Sequence, residues 1–94
     1  MFKDLDPLLH SQLRLAVVSL LVSVESADFT HIKEKTKATS GNLSVQIDKL
    51  EKAKYIKVVK SFKGKRPLTT CSITPIGVGA FEKYVNHLKT YIEK

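Results

Sequence analysis

Cysteine occurs once in this chain, at Cys71, so no internal disulfide can form and no cysteine-based metal site can be assembled. The histidines, His10, His31 and His87, are far apart, and none stands at helical spacing from a second histidine or from the cysteine. Each reads as an ordinary surface or interface residue, and no metal is expected. Long apolar runs are also missing. The longest, Leu13 to Val24, covers 12 residues and is broken by Arg14 and Ser19, whereas a membrane span needs about 20. Lys3 and Asp4 near the start, with no small-residue cleavage site after an apolar stretch, argue against a signal peptide. A cytoplasmic protein without a membrane partner is expected. Paired carboxylates, a Ser/His/Asp set and a glycine-rich phosphate loop in a fitting context are all lacking, and Lys63-Gly64-Lys65 is without the surrounding pattern of a nucleotide loop. Neither enzyme activity nor a cofactor is expected.

Acidic residues are absent between Glu51 and Glu82, and this gap is informative. Lys52, Lys54, Lys57, Lys60, Lys63, Lys65 and Arg66 fall inside it. The formal net charge is +7, matched by these seven cations alone, so the basicity is local. A concentrated positive surface favours an acidic partner such as nucleic acid or a membrane surface. With 94 residues, 43% of them hydrophobic and 27% charged, the composition is that of one soluble globular domain spanning residues 1–94.

Asp6-Pro7 is a helix-start signal, with Asp6 as the cap and Pro7 in the first helical position. From Ser11 to Val24 the pattern is apolar nearly all the way round. Such a helix must be covered on both sides. In so small a chain one side can pack on the domain's own core, and the other calls for a second chain. Ala27 to Thr30 reads as an extended connection, with Thr30 capping a brief helix from His31 to Lys37 whose inward residue is Ile32. A bend at Ala38-Thr39 leads into a helix over residues 40–52, where Leu43, Ile47 and Leu50 recur at i, i+4 and i+7 and so form its inward face.

The outer side of that helix is unusual. Solvated helix exteriors are commonly built from Glu, Lys and Arg, which favour the helix. Here Ser40, Gly41, Asn42, Ser44, Val45 and Gln46 come first and Lys49 later. Small and amide-bearing residues can approach another surface closely and hydrogen-bond to it. Two short helices, a tight turn and a second helix with this polar start make a helix-turn-helix, whose second helix can lie in the DNA major groove. Tyr55–Phe62 and Leu68–Thr74 are strand candidates, joined by the basic turn Lys63-Gly64-Lys65-Arg66-Pro67. Thr74-Pro75 then supplies the cap and first residue of a helix over residues 75–93, roughly 28 Å long at about 1.5 Å per residue. Gly77 and Gly79 weaken its first turns, as a close backbone neighbour would require. Its far half is longer than the core needs and calls for a second packing surface.

This order of elements resembles the winged-helix transcriptional regulators of the MarR and ArsR type, in their short single-domain form. The resemblance is carried by Asp6-Pro7-Leu8-Leu9-His10-Ser11-Gln12-Leu13-Arg14, Thr39-Ser40-Gly41-Asn42-Leu43-Ser44, Leu50-Glu51-Lys52-Ala53-Lys54-Tyr55-Ile56 and Thr74-Pro75-Ile76-Gly77. It implies an α+β, mostly α, winged helix-turn-helix of three helices, a β-hairpin wing and a long C-terminal helix. In relatives the position of Lys54 is often a glycine that caps the recognition helix, a device absent here. The cysteine-bearing metal-sensing motif of many ArsR-type relatives is missing too.

The resemblance further implies a sequence-specific regulator of transcription that binds double-stranded DNA as a homodimer. The helix over residues 40–52 would lie in the major groove, and the basic wing over residues 60–68 on the backbone or in the minor groove. Asn42 and Gln46 are suited to bidentate pairing with adenine and Val45 to a thymine methyl. Thr39, Ser40 and Ser44 suit phosphate contact or capping. Lys49, Lys63, Lys65 and Arg66 supply charge, with Arg66 suited to a minor groove. Lys57 and Lys60 serve equally well as lysines that blunt a strand edge. Leu13, Val17, Leu20 and Leu21 of the first long helix, with Phe81, Tyr84, Val85, Leu88 and Ile92 of the last, are the expected dimer interface. Twofold pairing would set two recognition helices about 34 Å apart on a roughly palindromic operator. A small effector is compatible with the resemblance, but no polar cluster in the sequence marks a pocket for one. The alternative is a winged-helix protein-interaction module with no direct DNA readout.

Overall fold

Four side-chain oxygens start the four helices of the computed structural model, which describes residues 1–93. Ser11 caps α1 (Gln12–Val24), Asp28 caps α2 (Phe29–Thr36), Thr39 caps α3 (Ser40–Lys52) and Thr74 caps α4 (Pro75–Ile92). Each accepts from a first-turn N–H that has no partner within the helix: Arg14 at 3.4 Å, His31 at 2.8 Å, Asn42 at 3.2 Å and Gly77 at 3.0 Å. Three strands complete the chain: β1 (Ser26–Asp28), β2 (Ile56–Lys63) and β3 (Arg66–Ile73). They form one antiparallel sheet in the order β1-β3-β2. The fold is mostly helical, with three helices, a hairpin wing and a long last helix, as the sequence predicts.

Two starts differ from expectation. Asp6-Pro7 begins only a single turn: the Asp6 carboxylate accepts from Leu8 N–H at 2.9 Å, its backbone carbonyl accepts from His10 N–H, and the helix proper waits for Ser11. The other Asp6 oxygen accepts from the Tyr55 hydroxyl, which fastens the N-terminal segment to the end of α3. Likewise Asp28, not Thr30, caps the second helix, and the preceding residues are a strand, not a plain connection. That strand exists because Ser26, Ala27 and Asp28 pair with Ser72, Cys71 and Thr70, partners distant in sequence.

The core gathers around α1. Val17, Val18 and Leu21 are fully buried with Leu9, Ile32, Leu43, Leu50 and Cys71, and Ile47, Ile56 and Tyr84 nearly so. Burial of each such leucine or isoleucine stabilises by roughly 1.5–3 kcal/mol, so the inward face of α3 is firmly set. Because α2, α3, α4 and β3 all pack on α1, one chain covers more of this helix than its apolar pattern suggests. Val17, Leu21 and Tyr84 are therefore interior residues and not part of a dimer surface, a correction to the expected interface. Leu13, Leu20, Phe81, Val85 and Leu88 are half-buried, and Ile92 is 70% exposed.

Close approach accounts for one of the two glycines in α4. A Cβ at Gly77 would collide with the Tyr55 carbonyl oxygen, whereas one at Gly79 would meet nothing within 4 Å. The Thr74 hydroxyl holds the same junction, lying 2.7 Å from the Lys54 carbonyl and 2.9 Å from the Tyr55 carbonyl. Among the described residues, no helix is long and apolar enough to cross a membrane.

Candidate nucleic-acid interface

Burial of Leu43, Ile47 and Leu50 turns the rest of α3 outward. Ser40, Gly41, Asn42, Ser44, Val45 and Lys49 are exposed, Val45 by 51%. Thr39 is exposed while acting as the cap. Gly41 has no internal purpose, since a Cβ there would meet nothing within 4 Å. Glycine near a helix start usually costs stability relative to alanine, so an open surface made of glycine leaves room for something that comes close.

Gln46 is placed differently. It is half-buried, and its Oε1 accepts from the Arg14 guanidinium at 2.5 Å while its Nε2 donates to Asn42 Oδ1 at 2.9 Å. Arg14 also donates from Nε to the Leu8 carbonyl at 2.6 Å. Asn42 and Gln46, the two residues expected to meet base edges, thus form one network anchored by a cation on α1. Arg14 has no carboxylate partner among the described residues. In the sequence Arg14 interrupts an apolar run and closes the first resemblance segment, and it carries no role there. The available signal was a lone cation in an otherwise apolar helix, which must find a polar partner when half-buried.

The wing is a two-residue hairpin. Lys63 pairs with Arg66, leaving Gly64 and Lys65 at the tip, and Gly64 takes φ 65, the left-handed region that glycine enters freely. Near its base Ile56, Val58 and Cys71 pack on the core. From Val59 to Pro67 every residue is exposed. This outer part, at about 3.3 Å per residue, reaches roughly 15 Å beyond the packed base and carries Lys60, Lys63, Lys65 and Arg66. Phe62, at the end of the predicted strand, is 75% exposed there.

Helix and wing share a concavity. A cleft of about 350 Å³ is lined by Ser44, Ile47, Asp48 and Glu51 of α3 and by Val58, Lys60 and Thr69 of the hairpin. Asp48 also pairs with Lys52 at 2.8 Å on the helix exterior. Asp48 and Glu51 line this cleft together with Lys60, and the further cations Lys63, Lys65 and Arg66 lie toward the wing tip. A larger cleft, about 880 Å³, lies between the N-terminal segment and α4, with Asp6, Tyr55, Tyr84 and His87 among its walls. Burial, aided by the bond to Asp6, pushes the Tyr55 hydroxyl up to about 12. Burial likewise pushes the Cys71 thiol up to about 11, with Glu51 adding to the effect, so the thiol stays protonated and unreactive at neutral pH.

Comparison with known proteins agrees with this geometry. An uncharacterized protein of Methanocaldococcus jannaschii is 34% identical over 76 residues, covering 81% of this chain and 83% of that protein. The structure of a transcriptional regulator homologue from Pyrococcus horikoshii superposes with a TM-score of 0.85 at 29% identity, over 92% of this chain and 85% of that one. A MarR-family transcriptional regulator from Silicibacter pomeroyi shares the fold at a TM-score of 0.71 and 14% identity, over 88% of this chain and 55% of that one. Residues 13–92 match the winged helix DNA-binding domain family, and the chain belongs to that family, with the fold of the MarR-type regulators.

Proposed function

We propose that this protein is a sequence-specific regulator of transcription that binds double-stranded DNA as a homodimer, with α3 in the major groove and the wing on the backbone or in the minor groove. The observation that carries the reading is the exterior of α3. Gly41, Ser44 and Val45 are exposed there without an internal role, beside a hairpin arm whose tip holds Lys63, Lys65 and Arg66. Val45 suits a thymine methyl and the Asn42 and Gln46 amides suit base edges, while Ser40, Ser44, Lys49 and the free N–H groups at the helix start suit phosphate. Thr39 adds a phosphate contact to its capping role.

Dimerisation draws on the half-buried residues Leu13, Leu20, Phe81, Val85 and Leu88 and on the exposed Ile92. Phe81, Val85, Leu88 and Ile92 fall at i, i+4, i+7 and i+11, a single stripe on α4. A twofold pair would read a roughly palindromic operator with half-sites about 34 Å apart. Selection of bound duplexes from a random pool tests binding, palindromy and spacing together. The expected result is an enriched palindrome with half-site centres about one helical turn apart; an unenriched pool would defeat the proposal. Phe62 favours the second reading, docking to an acidic protein partner, because an exposed ring suits a protein surface. Salt-sensitive capture of such a partner, with no affinity for duplex DNA, would establish it.

A further inference from the structure

We infer that Arg14, which lies outside the recognition helix, sets which base that helix prefers by fixing the orientation of two amides. The inference rests on the proposal that α3 enters the major groove. A guanidinium can only donate hydrogen bonds. With Nε on the Leu8 carbonyl and Nη1 on Gln46 Oε1, Arg14 requires Gln46 to turn its amide oxygen inward and its NH₂ away. That NH₂ donates to Asn42 Oδ1, so Asn42 must in turn face its oxygen toward Gln46 and its own NH₂ outward. The three side chains form a chain of a single polarity, which starts at a fixed cation and ends in N–H donors on the exposed surface.

This polarity matters for readout. An amide recognises adenine by using both ends, its oxygen accepting from N6–H and its nitrogen donating to N7. Here the Asn42 oxygen is engaged within the protein, and the outward group is a donor. The matching major-groove edge is one made of acceptors, and guanine offers two side by side, O6 and N7. Guanine is therefore favoured over adenine at the base pair beneath Asn42, the reverse of what an unconstrained asparagine would select. Arg14 touches no base in this arrangement and is a positioning residue.

The test compares duplexes that differ only at one base pair, G·C against A·T. The position is identified as the one whose preference is lost in Asn42→Ala. The wild type is expected to favour guanine there by about 5-fold or more. Arg14→Met and Gln46→Met each release the network and bring that ratio toward one or invert it, and in Arg14→Met the preferences at the other positions hold. A merely structural Arg14 would instead lower affinity at every position alike, and that outcome, or an adenine preference in the wild type, would overturn the inference while leaving the DNA-binding proposal intact. Were Arg14→Met unable to fold, Gln46→Met would decide the matter, because it breaks the same chain and leaves Arg14 on the Leu8 carbonyl. Failure of the wild type to bind any duplex would remove the DNA-binding proposal, and this inference with it.

Discussion

Lys54 adopts φ 64, a left-handed backbone that lysine enters only at a cost. Its N–H donates to the Glu51 carbonyl at 2.9 Å and the Tyr55 N–H to the Leu50 carbonyl at 3.0 Å, the paired bonds of a Schellman ending. The geometry that relatives obtain with glycine is thus retained here without it. Lys54→Gly should stabilise the protein by about 0.5–1 kcal/mol, the left-handed strain less the added freedom of the unfolded glycine, as measured by the urea midpoint. Gly77 is the opposite case, and Gly77→Ala should destabilise by about 2–3 kcal/mol or more, because the new methyl meets the Tyr55 backbone and not a yielding side chain. The Cys71 thiol provides a pH dependence. Its folded value lies at about 11 against an ordinary 9.0, so the unfolded chain releases the proton first as pH rises. Stability from this group is full below pH 9.0 and declines between pH 9.0 and about 11. Tyr55, raised from 10.0 to about 12, adds a decline of the same sign at higher pH. Chemical denaturation across this range should show a fall that is shallower in Cys71→Ala, measured relative to each protein's own stability at neutral pH.

Each element brings its own outcome. Thr39 closes the start of α3, and Thr39→Ala should cost about 1 kcal/mol of stability. If Thr39 also meets a phosphate, DNA affinity falls at a protein concentration and temperature where both forms are fully folded. A loss of stability alone would leave Thr39 a cap and nothing more. The wing separates charge from shape. Replacing Lys63, Lys65 and Arg66 together with Gln should flatten the log–log dependence of DNA affinity on salt by about 0.9 for each phosphate contact removed. The folded state should be unaffected, since all three are exposed. An unchanged slope would mean that the wing does not meet the backbone.

At the scale of the whole molecule, the extents of 54 × 25 × 21 Å and radius of gyration of 14.1 Å describe an elongated body, since a compact chain of this length has a radius near 12 Å. The exposed half of the wing and the partly uncovered α4 fit that shape. The N-terminal segment runs along α4, where Lys3 N–H donates to Thr90 Oγ1 at 3.2 Å, the Tyr91 hydroxyl donates to the Lys3 carbonyl at 2.9 Å and Phe2 stacks on Tyr91 at 5.0 Å between ring centres. If the stripe on α4 is the dimer surface, light scattering should give twice the chain mass at about tens of micromolar, and Leu88→Glu with Ile92→Glu should give a folded monomer with weaker DNA binding. Folding of that variant is expected because Ile92 is exposed and Leu88 only half-buried. A wild-type monomer would dismiss the twofold operator.

Legible in the sequence are the element order, the inward face of α3, a capped start at Thr39-Ser40, the hairpin with its basic tip and the start of α4 at Pro75. All of these follow from signals within a few residues of one another: caps, period, turn chemistry. Features that depend on distant partners emerge from packing alone. β1 exists through pairing with β3, and Asp6 serves Tyr55 more than it serves a helix. Val17, Leu21 and Tyr84 are interior because α2, α3, α4 and the sheet close around α1, and no local pattern distinguishes an apolar residue covered by its own chain from one left for a partner. Arg14 meets Gln46 across 32 positions of sequence for the same reason: packing of α1 on α3, and nothing in either segment alone, brings a lone cation to the exterior of α3.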